Sequence, residues 1–94
     1  MNNLPSVSNY GKYSSDNYGH HTKRLDLENI TLWYSYETII AYRDNQDGRV
    51  VSENCWSTTT GKHLNWIDQG DKKNRKPRSE FETMLKNACA RHGI

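Results

Sequence analysis

The strand-to-helix junction of this chain is the run Trp56-Ser57-Thr58-Thr59-Thr60-Gly61-Lys62-His63-Leu64-Asn65-Trp66-Ile67. Hydroxyl residues are favoured helix caps, so residues 57–60 predict the start of a short helix over about residues 61–69. Leu64 and Ile67 are spaced for one apolar stripe, Trp66 falls off that stripe, and Gly70 is placed to end the helix. The chain is therefore expected to change from sheet to helix at this point.

The residues before this junction are typical of strands. Residues 30–43 are dense in β-branched and aromatic residues and contain no Gly, Pro, Asn or Asp. This run is longer than most strands, so we expect a bend or bulge near residues 35–38, or a break into two strands. Residues 44–48 supply turn residues, and a second strand pattern over residues 49–56 then predicts a hairpin.

The residues after the junction predict a second helix over residues 79–92. Ser79 and Glu82 have the spacing of a capping box. One helical stripe carries the apolar residues Phe81, Met84, Leu85, Ala88 and Cys89. The sequence thus predicts an α+β fold, in which a small antiparallel β-sheet, made of a long bent strand plus a hairpin, is followed by two helices packed on one face. Leu64 and Ile67 are expected in the same core as Phe81.

The first 24 residues differ in composition from the rest. They repeat Asn, Ser, Gly and Tyr and contain almost no aliphatic residues, which is typical of a flexible tail. We therefore assign residues 1–24 to a flexible Tyr/Gly/Ser/Asn-rich tail and residues 25–94 to a single small domain. A chain of 94 residues has room for one small core.

Neither a secretory segment nor a membrane span is predicted. No apolar run follows Met1, and no stretch approaches the roughly 18 apolar residues that a bilayer requires. Two cysteines, Cys55 and Cys89, do not make a disulfide framework. We expect a cytoplasmic protein with free thiols and no membrane partner.

The basic charge of the chain is concentrated in its last third. The net charge is only +2, but residues 61–94 carry eight bases and four acids, whereas residues 25–60 carry two bases and six acids. Backbone N–H groups at a helix N-terminus and exposed cations both attract phosphate. The candidate anion-binding residues are Thr59, Thr60, Gly61, Lys62, His63, Lys72, Lys73, Arg75, Lys76 and Arg78. These residues also have plainer interpretations, a simple helix cap and a solvated loop.

Three runs of this sequence resemble a family of small uncharacterised proteins encoded by bacteriophages and prophages. They are Trp33-Tyr34-Ser35-Tyr36, Thr38-Ile39-Ile40-Ala41 and the Trp-Ser-x-Thr-Thr-Gly-Lys-His-Leu motif at residues 56–64. The similarity covers roughly residues 30–85 and includes Phe81, while residues 1–24 lie outside it. It implies a phage-type accessory protein that acts inside a bacterial cell, and it implies no activity.

Two functional hypotheses follow. The leading one is a small binding protein that contacts nucleic-acid backbone through Lys62, His63 and the loop of residues 72–78. The alternative is an inhibitor that binds a host defence, transcription or replication protein through an acidic surface formed by Asp26, Glu28, Glu37, Asp44, Asp47 and Glu53. The oligomeric state stays open, a homodimer included.

No enzyme, cofactor or metal is predicted. The set Cys55, His63, Cys89 and His92 has the spacing of no common zinc finger. Cys89 continues an apolar stripe and His92 falls in a last helical turn, so packing and the helix dipole explain both residues. No nucleophile, base and orienting group are brought together by their spacing.

Overall fold

The computed structural model describes residues 5–11 and 21–94. Five strands come first: β1 (Ser6–Ser8), β2 (Thr22–Asp26), β3 (Ile30–Ser35), β4 (Thr38–Asp44) and β5 (Gly48–Val51). Two helices follow, α1 (Thr58–Asp68) and α2 (Arg78–Arg91), with a short 3-10 turn, Lys72–Asn74, between them. The predicted α+β class, an antiparallel sheet followed by two helices, is confirmed.

The strands form one antiparallel sheet in which each strand pairs with the next one along the chain. The strand-like run of residues 30–43 is broken by a turn at residues 36–37, which joins Ser35 to its partner Thr38. Tyr36 has φ +57° in this turn, a left-handed conformation that favours glycine. The predicted break into two strands is confirmed.

A bulge in β4 lies just beyond this turn. Trp33 pairs with Ala41, whereas Tyr34 pairs with Ile39, so Ile40 is an extra residue on β4. Ile40 and Ala41 consequently belong to the same buried cluster, although neighbouring strand residues normally point to opposite faces.

The two helices cover opposite faces of the sheet. The cluster beneath α1 contains Tyr10, Trp33, Ile40, Ala41, Val51, Leu64 and Ile67. The cluster beneath α2 contains Ile30, Leu32, Tyr42, Val50, Phe81 and Ala88. The expectation that both helices pack on one face, with Leu64 and Ile67 in the core of Phe81, is wrong. The strands carry apolar residues on both faces, and each helix buries one of those faces.

The first residues of the chain belong to the sheet where the structure describes them. Ser6–Ser8 pair with β2, and Tyr10 is 7% exposed within the cluster beneath α1. The hydroxyl of the buried Thr22 donates to the carbonyl of Tyr10 at 2.8 Å. Residues 5–11 and 21–24 thus differ from the flexible tail assigned to them, and the domain begins earlier than residue 25. The rest of that assignment, residues 1–4 and 12–20, lies outside the described residues.

Helix α1 begins earlier than the hydroxyl run suggests. Ser57 is the N-cap residue, but its side chain makes no capping hydrogen bond, and residues 58–60 form the first turn. The buried stripe is Thr60, His63, Leu64, Ile67 and Asp68. Gln69 ends the helix in the left-handed conformation with φ +55°, and Gly70 continues it with φ +82°. Trp66 is 47% exposed, as its place off the stripe predicts.

Helix α2 is present as predicted but is not opened by a capping box. Pro77 is the N-cap residue and Ser79 is already the second helical residue, which places Glu82 beside Arg78 at 3.7 Å instead. Phe81 and Ala88 are fully buried, while Met84 and Leu85 are partly buried. Within residues 5–11 and 21–94, no helix combines the length and the apolar character needed to cross a membrane.

Strand β5 ends sooner than the sequence suggests. Gly48 opens it with φ +70°, as the turn requires, but regular pairing stops at Val51 instead of residue 56. Ser52 forms an isolated parallel bridge with Lys76, in which the amide of Lys76 donates to the carbonyl of Val51 at 2.8 Å. The loop before α2 is therefore attached to the edge of the sheet.

Candidate functional site

The residues of the predicted anion site at the start of α1 do not point to one place. Thr60 and His63 are buried, with exposures of 4% and 0%, whereas Lys62 is exposed. The imidazole Nδ1 of His63 lies 2.7 Å from the hydroxyl of Ser35, and the hydroxyl of Thr60 lies 3.1 Å from the same oxygen. Consecutive helical residues do not face each other, so Lys62 lies toward solvent while His63 lies in the interior.

Packing also explains the glycine of that motif. A Cβ atom at Gly61 would lie 3.0 Å from the side-chain nitrogen of Asn54. That nitrogen donates to the carbonyl of Ser57 at 3.1 Å, which ties the preceding loop to the start of α1. Thr59 is half-buried. The Thr-Thr-Gly-Lys-His run therefore contains a glycine that allows the close approach of Asn54, a buried histidine and one exposed cation.

The predicted basic loop divides into structural and exposed residues. The guanidinium of Arg75 is paired with Asp68, and both side chains are 5% exposed. The guanidinium of Arg78 donates to the carbonyl of Ile39 at 2.9 Å. Lys76 is half-buried, while Lys72 and Lys73 are exposed in the 3-10 turn. A charge pattern in sequence cannot distinguish a cation that has an internal partner from one that faces solvent.

The acidic first half is likewise partly used within the protein. Asp44 has a fully buried side chain, and its carboxylate accepts hydrogen bonds from Arg91 at 2.7 Å and from the amide of Asp47. Asp47 is bound by Arg91 at 3.0 Å and accepts a hydrogen bond from the hydroxyl of Tyr42 at 2.6 Å. Burial, followed by the hydrogen bond to Asp47, raises the pKa of the Tyr42 hydroxyl well above its ordinary value. This network fastens the β4–β5 hairpin to the end of α2.

Three acids of the predicted acidic surface remain exposed. Of the six acids, Asp44 and Asp47 make the internal contacts described above, and Asp26 is paired with Arg24 at 3.0 Å. The exposed remainder is Glu28, Glu37 and Glu53.

The cysteines and histidines named for zinc lie in separate surroundings. His63 is bound to Ser35 on the α1 side of the sheet, and the Nε2 of His92 lies 3.0 Å from Asp44 on the α2 side. Cys55 is an exposed free thiol, and burial raises the pKa of the free Cys89 thiol. In the described part of the chain, no three His, Cys, Asp or Glu residues are grouped as metal ligands.

A site that the sequence analysis did not identify lies at the C-terminal end of α1. It is a cleft of about 560 Å³ between that end of the helix and the sheet. We call it the arginine cleft, and its lining includes Arg24, Arg43, Arg49, Trp33 and Trp66. The guanidinium of Arg24 lies 5.4 Å from the centre of the Trp33 ring, so cation–π contact holds it against the sheet.

Arg43 and Arg49 give this cleft its electrostatic character. They are direct partners across β4 and β5, and both are exposed. Like charges directly opposite each other destabilise a sheet. Arg24 has the partner Asp26, and the charge of Arg49 acts on the buried carboxylate of Asp68 from a longer distance. Within the described ranges, neither Arg43 nor Arg49 lies within salt-bridge distance of an acidic group. This pair of guanidinium groups is therefore suited to an external anion.

The sequence did contain a signal for this pair. A turn over residues 44–48 places residue 43 opposite residue 49, which is the register observed. What the sequence does not contain is the position of Trp33 and Trp66 beside the pair, because those residues come from a different strand and from a helix.

Comparison with known proteins matches the chain to a family. Residues 5–83 match the model of a family described as Family of unknown function (DUF8033). The matched range includes residues 5–11 and 21–24, which agrees with their place in the sheet. No curated protein and no solved structure matches the chain.

Proposed function

We propose that this chain, which belongs to the DUF8033 family of unknown function, is a small phage-type accessory protein that binds single-stranded nucleic acid in the arginine cleft. The carrying observation is the exposed cross-strand pair of Arg43 and Arg49, beside which lie two tryptophans. The resemblance of residues 56–64 to phage and prophage proteins supports the biological setting, a bacterial cytoplasm.

The arrangement has the two components of single-strand recognition. Guanidinium groups neutralise backbone phosphates, and exposed aromatic rings stack on unpaired bases. Trp66 is 47% exposed at the mouth of the cleft, beside the two arginines. Bases in a duplex are already stacked on each other, so an aromatic ring in this position favours a single strand.

One exposed lysine, Lys62, extends this surface in the proposal. Lys62 lies one helical turn before Trp66 on α1, so these two side chains are neighbours on the helix. Lys72 and Lys73 are exposed in the 3-10 turn and do not line the cleft, so they are not assigned to the binding surface. Arg75 and Arg78 are proposed to support the fold instead, because both make internal contacts. The alternative, a protein partner on the acidic surface, is the weaker proposal, because Asp44 and Asp47 are bound to Arg91.

The test compares two variants that lose the same charge. Arg43→Gln/Arg49→Gln removes two cations of the cleft, and Lys72→Gln/Lys73→Gln removes two exposed cations elsewhere. Binding is measured by fluorescence anisotropy with a labelled single-stranded oligonucleotide, as DNA and as RNA of one sequence, across a salt series. If both arginines contact phosphate, the first variant should reduce the slope of log K against log salt by about 1.4, and the second by less.

Each result has a distinct meaning. A duplex of the same sequence should compete weakly against the single strand. If the lysine variant loses as much affinity as the arginine variant, the cleft is not the principal site. If the unmodified protein binds neither oligonucleotide at low salt, the nucleic-acid function is refuted. Thermal unfolding of both variants controls for stability, because removal of the Arg43–Arg49 repulsion should stabilise the sheet by no more than about 1 kcal/mol and loss of the exposed lysines should change stability little.

A further inference from the structure

A second pocket lies at the opposite end of α1 from the arginine cleft. We call it the hairpin pocket, because it is formed between the β3–β4 turn and the start of α1. Its volume is about 260 Å³, below the roughly 300–1,000 Å³ of pockets for drug-sized ligands, so its size suits one small ring system. Tyr36 and Trp56 line its mouth, and Ile40 lies at its floor with Ser35 and Thr60.

Both aromatic residues at the mouth are held by a contact with another side chain. The ring of His21 stacks on Tyr36 at 4.2 Å between centres, with 20° between the planes. The guanidinium of Arg78 lies 4.9 Å from the centre of the Trp56 ring, and Arg78 is itself fixed by its hydrogen bond to Ile39. Even so, Tyr36 is 49% exposed and Trp56 is 40% exposed. The rings are thus positioned in advance, which lowers the entropic cost of binding a third ring.

The backbone of Tyr36 is a second, independent observation. A tyrosine with φ +57° stands where a two-residue hairpin usually has glycine. The left-handed conformation is unfavourable for a residue with a Cβ atom, and such strain is often retained at functional sites. A glycine here would fit the turn, but it would remove one of the two exposed rings.

The floor of the pocket supplies polar atoms of fixed position. The hydroxyls of Ser35 and Thr60 are 3.1 Å apart, and Ser35 is also held by His63 at 2.7 Å. Both residues are more than nine-tenths buried. A hydroxyl can donate one hydrogen bond and accept two, so these groups retain the capacity to bond the polar edge of a ring.

We propose that the hairpin pocket binds one unpaired nucleobase between Tyr36 and Trp56, with its polar edge toward Ser35 and Thr60. This inference rests on the proposed function, since it assigns a base-binding subsite to the same nucleic-acid strand. Thr60 at this pocket and Ile67 at the arginine cleft are seven residues apart on α1, or roughly 10 Å along the helix axis. A single strand that follows α1 therefore reaches both sites.

The experiment separates base binding from phosphate binding. Affinity is measured for a single-stranded oligonucleotide and for an abasic oligonucleotide of equal length, which keeps the sugar–phosphate chain. Tyr36→Gly and Trp56→Ala should each weaken binding of the first ligand roughly 5- to 150-fold. Neither variant should change binding of the abasic chain. Tyr36→Phe keeps the ring and should bind as the unmodified protein does.

Two controls accompany these variants. Among the described residues, Gln69 is the other non-glycine residue with a positive φ, and it lies away from the pocket. Gln69→Gly relieves that backbone strain and should leave affinity unchanged. Arg43→Gln/Arg49→Gln should weaken binding of both ligands. If the arginine variant weakens binding but Tyr36→Gly and Trp56→Ala do not, the base subsite is overturned while the proposed function stands.

A direct titration tests the pocket even if no oligonucleotide binds. Free adenosine and thymidine at millimolar concentration are titrated into the isotope-labelled protein, and the amide resonances of Ser35 and Thr60 are followed by NMR. Saturable shifts that disappear in Tyr36→Gly support the base subsite. If neither nucleoside shifts these resonances, the base subsite is overturned. If the nucleosides bind but no oligonucleotide does, the proposed function is overturned instead.

Discussion

The guanidinium of Arg75 and the carboxylate of Asp68 form a two-pronged ion pair between the basic loop and the end of α1. Arg75 donates from Nε to Oδ2 at 2.6 Å and from Nη2 to Oδ1 at 2.9 Å. Burial opposes ionisation of Asp68, but the hydrogen bonds and charge of Arg75, the amide of Gly70 and the charge of Arg49 together outweigh it and lower the pKa of that carboxyl below its ordinary value. Arg75, which the sequence predicted to bind phosphate, therefore stabilises the fold.

Arg75→Gln should lower the free energy of unfolding by about 3–5 kcal/mol, because it leaves Asp68 buried without its cation. Lys72→Gln is the matched control, since it removes the same charge from an exposed position and should cost less than about 0.5 kcal/mol. Urea unfolding at neutral pH measures both. Equal stability of the two variants would contradict the structural role of Arg75.

The buried carboxylate of Asp44 predicts a loss of stability in acid. Burial of this group opposes its ionisation, yet hydrogen bonds from Arg91, the Asp47 amide and His92 outweigh burial and lower its pKa from 3.8 to about 2. A carboxyl with a lowered folded-state pKa stabilises the fold above its unfolded pKa. That contribution, at most about 2 kcal/mol, is lost as the pH falls from 3.8 towards 2.

Asp44→Asn tests this linkage. The variant should be less stable than the unmodified protein at neutral pH, and the difference between the two should shrink as the pH falls towards 2. Thermal unfolding followed by circular dichroism across an acid pH series measures this difference. A difference that stays constant over the whole series would be inconsistent with titration of Asp44.

The placement of the helices on opposite faces predicts independent cores. Ile30→Val and Ile67→Val each remove one methylene group, from the α2 cluster and the α1 cluster respectively, and each should cost about 0.5–1.5 kcal/mol. Because the sheet separates them, the double variant should equal the sum within about 0.5 kcal/mol. A double-mutant cycle by urea unfolding measures the coupling, and a coupling energy above about 1 kcal/mol would argue for one shared core.

The left-handed residue at the end of α1 predicts a stabilising substitution. Gln69 has φ +55°, so Gln69→Gly should raise the free energy of unfolding by about 0.5–1 kcal/mol. Gln69→Ala is the control, because alanine keeps the backbone strain and should give no such gain. The melting temperatures of the two variants measure this difference. A glycine variant no more stable than the alanine variant would argue against a left-handed conformation at residue 69.

Local pattern alone determined most of the elements. The 3.6-residue stripe of residues 79–92 predicted α2 within one residue at each end, and the Asp- and Gly-containing turn at residues 44–48 predicted the β4–β5 hairpin. These signals are local, because they depend on turn chemistry and on the spacing of apolar residues within one element. The pairing of Arg43 with Arg49 could have been predicted for the same reason, because the hairpin register places residue 43 opposite residue 49.

Only the tertiary structure decided which surfaces meet. The pairing of β1 with β2 joins segments of polar composition, and Tyr10 enters the core through contacts far along the chain, which composition does not reveal. The face that each helix covers depends on the sheet as a whole, because apolar residues on both faces of a strand leave either choice open. Burial of His63 and pairing of Arg75 with Asp68 follow from that choice, since a side chain acquires its partner only when another element is packed against it.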